Sequence, residues 1–306
     1  MIYITGDTHG DFSRLYGIEF KENDILIILG DSGINYYLNK NDLRLKDELK
    51  KFKCKFFCIQ GNHEQRPENI SSYNETEMFE GKVYIEPDYP NLIFAKNGEI
   101  YNLNEKKVLV IGGAYSVDKD YRLLKGYQWF CDEQLTVDEQ DDILQKYKGK
   151  AVDIILSHTC PLKYEPTETF LEYIDQSKVD KTMESFLDKI EEAVTYDKWY
   201  CGHYHIEKNI DKIEFMYGRI KEFNTDNFFP KYNRNGYEIV RDAFSQEVAL
   251  KSDITCPVCA SKDIMLQKGD GFKINGYDVI AVICNHCKKV YAFSDVKYKR
   301  DCPKEL

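Results

Sequence analysis

The chain has 306 residues, of which 42% are hydrophobic and 14% aromatic, and its formal net charge is −10. This length fits one large domain with a small appendage, and the apolar content is sufficient for a sizeable core. No stretch approaches the roughly 18 apolar residues of a membrane span, and the apolar start "MIYIT" lacks the basic residues of a signal peptide. We therefore expect a soluble, cytoplasmic protein without membrane association.

The charge is unevenly distributed along the chain. Residues 251–306 hold 10 Lys and Arg against 7 Asp and Glu, whereas residues 1–250 hold 32 against 45. An acidic body repels polyanions and attracts cations, so non-specific nucleic-acid binding is not expected of it. The ten cysteines, in a chain expected inside the cell, indicate metal or core roles rather than disulfides.

Six short runs rich in Ile, Val, Phe and Tyr predict buried strands. In chain order they are "MIYIT" before "GDTHG", "DILIIL" before "GDSG", "CKFFCIQ" before "GNHE", "KVLVI" before "GG", "AVDIIL" before "SHT" and "KWYC" before "GHYH". The segment "NKNDLRLKDELKKF" is compatible with a helix. A second helix is predicted in "VDKTMESFLDKIEEAV", with one apolar face formed by Val179, Met183, Phe186, Leu187, Ile190 and Val194. Alternating strands and helices predict an α/β fold.

The turns after these strands are rich in side chains that bind metals. Loops at the carboxyl ends of neighbouring parallel strands meet at one edge of a sheet. The turns are therefore expected to bring together Asp7, His9, Asp31, Asn62, His63, His158, His203 and His205. Each residue alone could have a purely structural role, such as turn formation or helix capping. As a set they suit two divalent cations about 3.5–4 Å apart, which can clamp a phosphoryl group and activate water.

The motifs "GDTHG", "GDSG", "GNHE", the lone histidine of "ILSHT" and "GHYH", in this order over residues 1 to about 225, resemble the calcineurin-like metallophosphoesterase family. The resemblance implies a two-sheet β-sandwich flanked by helices, with a dinuclear site along one edge. Seven positions would be ligands: Asp7, His9 and His205 for the first metal, Asn62, His158 and His203 for the second, and Asp31 as a bridge. A metal-activated hydroxide would attack phosphorus, and His63 would stabilise the transition state or protonate the leaving oxygen. The nitrogen and oxygen donors suit Mn, Fe, Ni or Zn.

One position departs from the protein-phosphatase branch of that family. There an Asp, three residues after the bridging carboxylate, orients the catalytic histidine and is followed by an Arg. This chain has Ile34 and Asn35 instead. The departure argues against a phosphoprotein substrate and leaves Asn35 as a candidate orienting group.

The segment "GGAYSVDKDYRLLKGYQWF" follows its own predicted strand and contains Asp118 and Arg122. It has two interpretations. It forms either a substrate rim, in which Arg122 meets a phosphate oxygen, or a solvated loop that packs its aromatic side chains on the core.

Two CxxC pairs, "CPVC" and "CNHC", lie near the end of the chain, with the strand-like runs "KDIMLQ" and "YDVIAVI" between them. The pattern resembles a zinc ribbon holding one structural zinc through Cys256, Cys259, Cys284 and Cys287; a labile redox pair is the alternative. We expect a metallophosphoesterase domain over residues 1–245 and a zinc-ribbon-like domain over residues 246–306, with some helical tendency in the connector from residue 230. Contact of the ribbon with nucleic acid or protein is left open.

The sequence therefore predicts a dinuclear metal-dependent phosphoesterase acting on a phosphomonoester or small nucleotide. A phosphodiesterase or nuclease is the alternative enzyme, because zinc ribbons often accompany nucleic-acid work. A non-catalytic metal-binding scaffold is the alternative from another class, and the intact "GNHE" motif argues against it.

Overall fold

The computed structural model describes residues 1–229 apart from 16–17 and 171–173. Beyond residue 229 it describes the backbone of seven strands and residue 286. The contacts divide the chain into two compact units: Met1–Phe12 with Glu19–Phe229, and Ser13–Ile18 with Pro230–Leu306. No helix in the described part of the chain is both long and apolar enough to cross a membrane. All candidate ligands of the two-metal site belong to the first unit.

The first unit contains two mixed β-sheets. The seven-stranded sheet consists of β1 (Ile2–Thr5), β2 (Ile25–Ile28), β3 (Lys55–Cys58), β4 (Asn74–Met78), β5 (Gly81–Ile85), β6 (Leu92–Ala95) and β13 (Ile220–Glu222). The six-stranded sheet consists of β7 (Glu99–Leu103), β8 (Lys106–Ile111), β9 (Ile154–Ser157), β10 (Lys198–Cys201), β11 (Lys208–Ile210) and β12 (Ile213–Phe215). Their orders are β13-β1-β2-β3-β6-β5-β4 and β11-β12-β10-β9-β8-β7.

Each sheet has four parallel strands in its centre and antiparallel strands at its edges. The parallel strands are β1, β2, β3 and β6 in the first sheet and β8, β9, β10 and β12 in the second. Their register is level, since Thr5 pairs with Ile28 and Ile28 pairs with Cys58. The turns after β1, β2 and β3 therefore begin level with one another at the same edge of the sheet, as the sequence predicts for turns that share a site.

The two sheets pack face to face, and helices cover the outside. Val108 and Val110 of β8 point into the cluster shared by both sheets. Leu109 and Ile111 alternate with them and pack in a second cluster with side chains of two helices. The described residues form four α-helices: α1 (Lys40–Leu49), α2 (Lys119–Lys125), α3 (Val137–Tyr147) and α4 (Thr182–Ala193). The buried apolar face of α4 consists of Met183, Phe186, Leu187 and Ile190, as its spacing predicts, whereas Val179 precedes the helix and Val194 is its C-cap. Two sheets with few helices are consistent with the sandwich implied by the resemblance.

The described strands of the second unit form two antiparallel sheets. One consists of β14 (Lys231–Tyr232), β15 (Glu238–Arg241) and β16 (Glu247–Leu250), and the other of β17 (Ile264–Ile274), β18 (Tyr277–Cys284), β19 (Val290–Ser294) and β20 (Lys304–Glu305). The helical tendency predicted from residue 230 is therefore wrong, because "EIVR" and "EVAL" pair as strands with Val240 opposite Val248. The β-branched residues Ile239, Val240 and Val248 favour strands.

The predicted zinc ligands lie almost entirely outside the described residues. Cys256, Cys259 and Cys287 are outside them, and Cys284 is described only as the last backbone position of β18. The structural zinc therefore stays a prediction.

Candidate active site

The turns after β1, β2, β3, β9 and β10 carry the candidate ligands, and backbone hydrogen bonds join these turns to one another. The amides of Thr8 and His9 donate to the carbonyl of Asp31 at 3.1 and 2.8 Å. In the second sheet the amide of Gly202 donates to the carbonyl of His158 at 2.9 Å. Hydrogen bonds therefore fix the turns of each sheet relative to one another, together with the candidate ligands that these turns carry.

Four of the candidate ligands have a left-handed backbone. They are His9 (φ 46°), Asp31 (φ 47°), His203 (φ 66°) and His205 (φ 53°). This conformation costs a non-glycine residue roughly 1–2 kcal/mol. Such strain persists only where the surrounding structure holds it, and it concentrates at functional sites. Its presence at the predicted ligands supports a role for them beyond folding.

Asp7, His9 and His205 form a first group of potential metal ligands. The Nε2 atoms of His9 and His205 are 2.9 Å apart, and Oδ2 of Asp7 lies 3.8 Å from the former and 3.2 Å from the latter. Two ring nitrogens, each about 2.0–2.1 Å from one metal, lie about 3 Å from each other. The three donors therefore fit a single divalent cation. The carboxylate is buried and the imidazoles are exposed, so this end of the site is open to solvent.

Asp31 lies between this group and the second one. Its Oδ2 is 3.8 Å from Nδ1 of His9, and its Oδ1 is 3.6 Å from Nε2 of His158. Burial by itself would raise the pKa of Asp31, but the charges of His158 and His63 hold it well below its usual value. A buried carboxylate that stays ionised and presents different oxygens to two groups has the arrangement that a bridging ligand needs.

Asn62, His158 and His203 form the second group. Oδ1 of Asn62 lies 2.9 Å from Nε2 of His158 and 3.1 Å from Nδ1 of His203. Nδ1 of His158 donates to the carbonyl of Leu29 at 2.7 Å, so its Nε2 is the nitrogen that faces the site. An acceptor on the far nitrogen is the usual means of orienting a metal-binding imidazole.

Charge differs between the two histidines of the second group. Burial, assisted by the charge of His158, lowers the pKa of His203 to about 3, so this ring is neutral, as a metal ligand must be. Burial also acts to lower the pKa of His158, but Asp31 outweighs it and raises that pKa to about 9. A cation binding here would therefore displace a proton from His158.

Gly61 and Gly202 leave room for ligands that come from neighbouring turns. A Cβ atom on Gly61 would lie 2.0 Å from Oδ1 of Asp31, and one on Gly202 would lie 2.3 Å from Oδ1 of Asp7. Both distances are far below van der Waals contact. The glycines that precede Asn62 and His203 are therefore needed because a carboxylate from another strand occupies the space beside them.

Ser116 and Glu133 hold Asn62 in place, and neither residue was predicted from the sequence. Nδ2 of Asn62 donates to Oγ of Ser116 at 2.9 Å, which in turn donates to Oε2 of Glu133 at 2.5 Å. The backbone amide of Ser116 also donates to Glu133, at 3.1 Å. This series of hydrogen bonds fixes which end of the Asn62 amide is the donor. The amide oxygen of Asn62 therefore faces His158 and His203. Ser116 lies in the glycine-rich segment after β8. In the sequence, the only indication of its role was that a polar residue follows a predicted strand.

Ser116→Ala should weaken metal binding by the second group about 10- to 100-fold, the usual cost of losing an outer partner of a ligand. The variant removes the acceptor that keeps the Asn62 amide from rotating. Manganese titration followed by calorimetry measures the effect. Ser72→Ala is the matched control, because Ser72 also donates to a buried carboxylate, that of Glu86, at 2.6 Å. Equal manganese affinity in both variants would show that the orientation of Asn62 does not depend on Ser116.

His63 lies beside the two groups and contacts Arg122. Nε2 of His63 is 3.8 Å from Oδ2 of Asp31 and accepts a hydrogen bond from Nη2 of Arg122 at 3.2 Å. The Arg122 guanidinium is itself fixed, because its Nε donates to the Asp118 carboxylate at 2.8 Å and its Nη1 donates to the Tyr36 hydroxyl at 3.2 Å. Burial, together with the charge of Arg122, lowers the pKa of His63, against the opposing effect of Asp31.

Asn35 does not take the place of the missing carboxylate. Its Oδ1 accepts a hydrogen bond from the Tyr73 hydroxyl at 3.1 Å. Within the described residues no hydrogen bond joins Asn35 to His63. The side chains that hydrogen-bond to the His63 ring are those of Arg122 and Asn62, and among the described residues Asp31 and His9 also lie beside it.

A cleft of about 350 Å³ opens beside this histidine and arginine. Its walls include His9, His63 and Arg122 on the side of the candidate ligands, and Tyr36, Tyr37 and Leu45 on the other. The volume falls at the lower end of the range for small-molecule sites.

Two cysteines next to the ligand turns have no place in the site. Cys160 and Cys201 are buried free thiols, and burial raises the pKa of each well above its usual value. Both are therefore neutral core residues.

Residues 1–207 match the family model described as "Calcineurin-like phosphoesterase". The matched range spans two thirds of the chain and includes every candidate ligand from Asp7 to His205. No curated protein matches the chain significantly.

Proposed function

The chain belongs to the calcineurin-like phosphoesterase family, which makes it a metal-dependent phosphate-ester hydrolase. From this premise we propose that it uses two divalent cations and that its substrate is a phosphomonoester or small nucleotide. The observation that carries the proposal is the placement of Asp31 between two groups of donors, one with Asp7 and one with Asn62.

In this proposal Asp7, His9 and His205 would hold one cation. Asn62, His158 and His203 would hold the other, with Asp31 shared. The mixed nitrogen and oxygen donors suit Mn, Fe, Ni or Zn. A pair of such cations, when bound, supplies an activated water and neutralises charge on the phosphoryl group.

His63 and Arg122 supply the remaining chemistry from the protein. Both project towards the cleft, and their contact at 3.2 Å places a proton carrier beside a fixed positive charge. A phosphate oxygen entering between them would accept a hydrogen bond from the Arg122 guanidinium, which binds phosphate well. The imidazole would stabilise the transition state or pass a proton to the leaving oxygen.

The size and charge of the surroundings favour a small substrate. A cleft of about 350 Å³ holds one compact group beyond the phosphate. A site that tracks a long polyanion needs a basic surround, whereas residues 1–250 are acidic.

The test is a panel of 4-nitrophenyl phosphate, bis(4-nitrophenyl) phosphate and single-stranded DNA, assayed with the full chain and added Mn²⁺ beside a metal analysis. We expect the monoester to be hydrolysed with the highest kcat/KM. Preference for the diester and DNA would favour a phosphodiesterase or nuclease. Inertness towards every substrate and metal would favour a non-catalytic scaffold.

A further inference from the structure

We propose that the cleft beside His63 and Arg122 binds the base of a nucleotide, with Tyr37 as the side chain on which the base stacks. The inference rests on the proposed function, because the phosphate must lie at the candidate metal centre for the rest of the substrate to enter the cleft. It names the substrate class of that site: nucleoside monophosphates.

The position of the cleft supports a role in holding the leaving group. His9, His63 and Arg122 line one end of it, and the remaining side chains of the lining are those of Tyr36, Tyr37, Asn41, Asp42 and Leu45. An ester whose phosphorus lies among the ligands and whose leaving oxygen faces His63 would therefore extend towards the tyrosines. The two tyrosines and Leu45 form an apolar part of this lining, which suits a planar apolar face.

The turn that carries the two tyrosines is held rigidly. The Asp42 carboxylate accepts the backbone N–H of Tyr37 at 3.0 Å and that of Leu38 at 2.7 Å. Leu38 has φ 52°, in the left-handed region that a branched residue rarely adopts. A strained turn fixed by a dedicated carboxylate indicates that the position of its side chains matters. A preorganised ring loses little entropy on binding a ligand.

The two rings differ in their freedom. Tyr36 is fixed by its hydroxyl, which accepts from Arg122 at 3.2 Å, and it contacts Tyr37 edge to face with centroids 4.7 Å apart. Tyr37 is 48% exposed, so its ring is supported by Tyr36 yet open to a ligand. Nucleobases stack on such exposed aromatic rings.

The same cleft also offers a polar side chain to a ligand. Asn41 also lines the cleft, and its side-chain amide makes no hydrogen bond to the described residues. An amide offers one donor and one acceptor side by side, which matches the hydrogen-bonding edge of a nucleobase. Stacking and an amide together distinguish a base from a simple aryl group, which has no such edge.

The experiment compares adenosine 5′-monophosphate with ribose 5-phosphate, assayed with the full chain and Mn²⁺. The two esters share the same leaving oxygen chemistry and differ in the base. We expect kcat/KM to be about 10- to 100-fold higher for the nucleotide, mainly through a lower KM. Tyr37→Ala should bring this ratio close to one, and Tyr37→Phe should retain it. Tyr121→Ala is the control, because Tyr121 is similarly exposed at 52% and does not line the cleft.

A second measurement does not depend on metal or turnover. Adenosine, which has no phosphate, is titrated into metal-free protein by NMR or calorimetry, and we expect Tyr37→Ala to weaken its binding about 10-fold. Equal kcat/KM for the two esters in the wild type, or no binding of adenosine, would overturn the inference and leave the proposed function standing. Inertness towards all phosphate esters would instead count against the proposed function.

Discussion

Asp31→Asn is expected to abolish manganese binding by both groups and to lower phosphoesterase activity by at least about 10³-fold, since metal stabilisation of the transition state is worth several kcal/mol. One Asp31 oxygen faces His9 and the other faces His158. An asparagine keeps the shape of the side chain but replaces one oxygen with an NH₂ group and removes the negative charge. One group would then face a donor instead of a ligand, and both would lose the charge that attracts cations.

Manganese content after loading and dialysis is the measurement, because it is separate from any zinc held by the cysteine pairs. Asp24→Asn is the matched control. Asp24 is another buried aspartate, it accepts the backbone N–H of Lys21 at 2.8 Å, and it lies outside the candidate site. It should lose some thermal stability and no manganese. Wild-type manganese content in Asp31→Asn would contradict the bridging role.

The parts of the fold that the sequence predicts well are those in which burial leaves a continuous apolar run. The cores of β1, β2, β3, β8, β9 and β10 are such runs, and each stands where it was expected. The antiparallel edge strands were missed, and so were two parallel strands, β6 with its buried "LIFA" and β12. In β4, "NETEM" is almost wholly exposed, so it has no apolar pattern. The turn from β4 to β5 uses Phe79 and Glu80 at φ 54° and 67°, without the Asn-Gly or Asp-Gly pair that marks a hairpin.

The residues of the candidate site also fall into those that the sequence predicts and those that it does not. Residues that chemistry restricts to a few types, such as His9 or Asp31, stand out from the sequence because each follows a predicted strand. Ser116 and Arg122 reach Asn62 and His63 from the segment after β8, more than fifty positions further along the chain. No local pattern records such a contact, because it depends on how the two sheets pack. The role of Arg122 beside His63 therefore required the structure.

The departure at Ile34 and Asn35 has its physical explanation in that contact. Ile34 is fully buried and offers no group to orient an imidazole. Arg122 provides one instead, held by Asp118 and Tyr36. A histidine beside a cation is harder to protonate than one beside a carboxylate. In the proposed function this contact would place a histidine with a lowered pKa beside a guanidinium that binds phosphate.

His63→Ala is expected to reduce kcat about 10²- to 10⁴-fold, the range for loss of a positioned proton donor or acceptor. Manganese content should stay close to that of the wild type, because the donors of both groups are untouched. The contrast with Asp31→Asn separates the two roles, since one variant would lose turnover alone and the other would lose metal and turnover together. Equal manganese loss in both variants would show that His63 is needed to assemble the site.

The dependence of the His63→Ala effect on the leaving group distinguishes the two roles proposed for His63. If its ring protonates the leaving oxygen, His63→Ala should impair hydrolysis of an alkyl phosphate much more than that of 4-nitrophenyl phosphate, because nitrophenolate leaves without a proton. If it stabilises charge on the phosphoryl group, both esters should slow by the same factor. Measuring kcat for ribose 5-phosphate and 4-nitrophenyl phosphate in the wild type and the variant gives the two ratios. We expect the larger loss with ribose 5-phosphate, because the His63 ring lines the cleft that receives the leaving group.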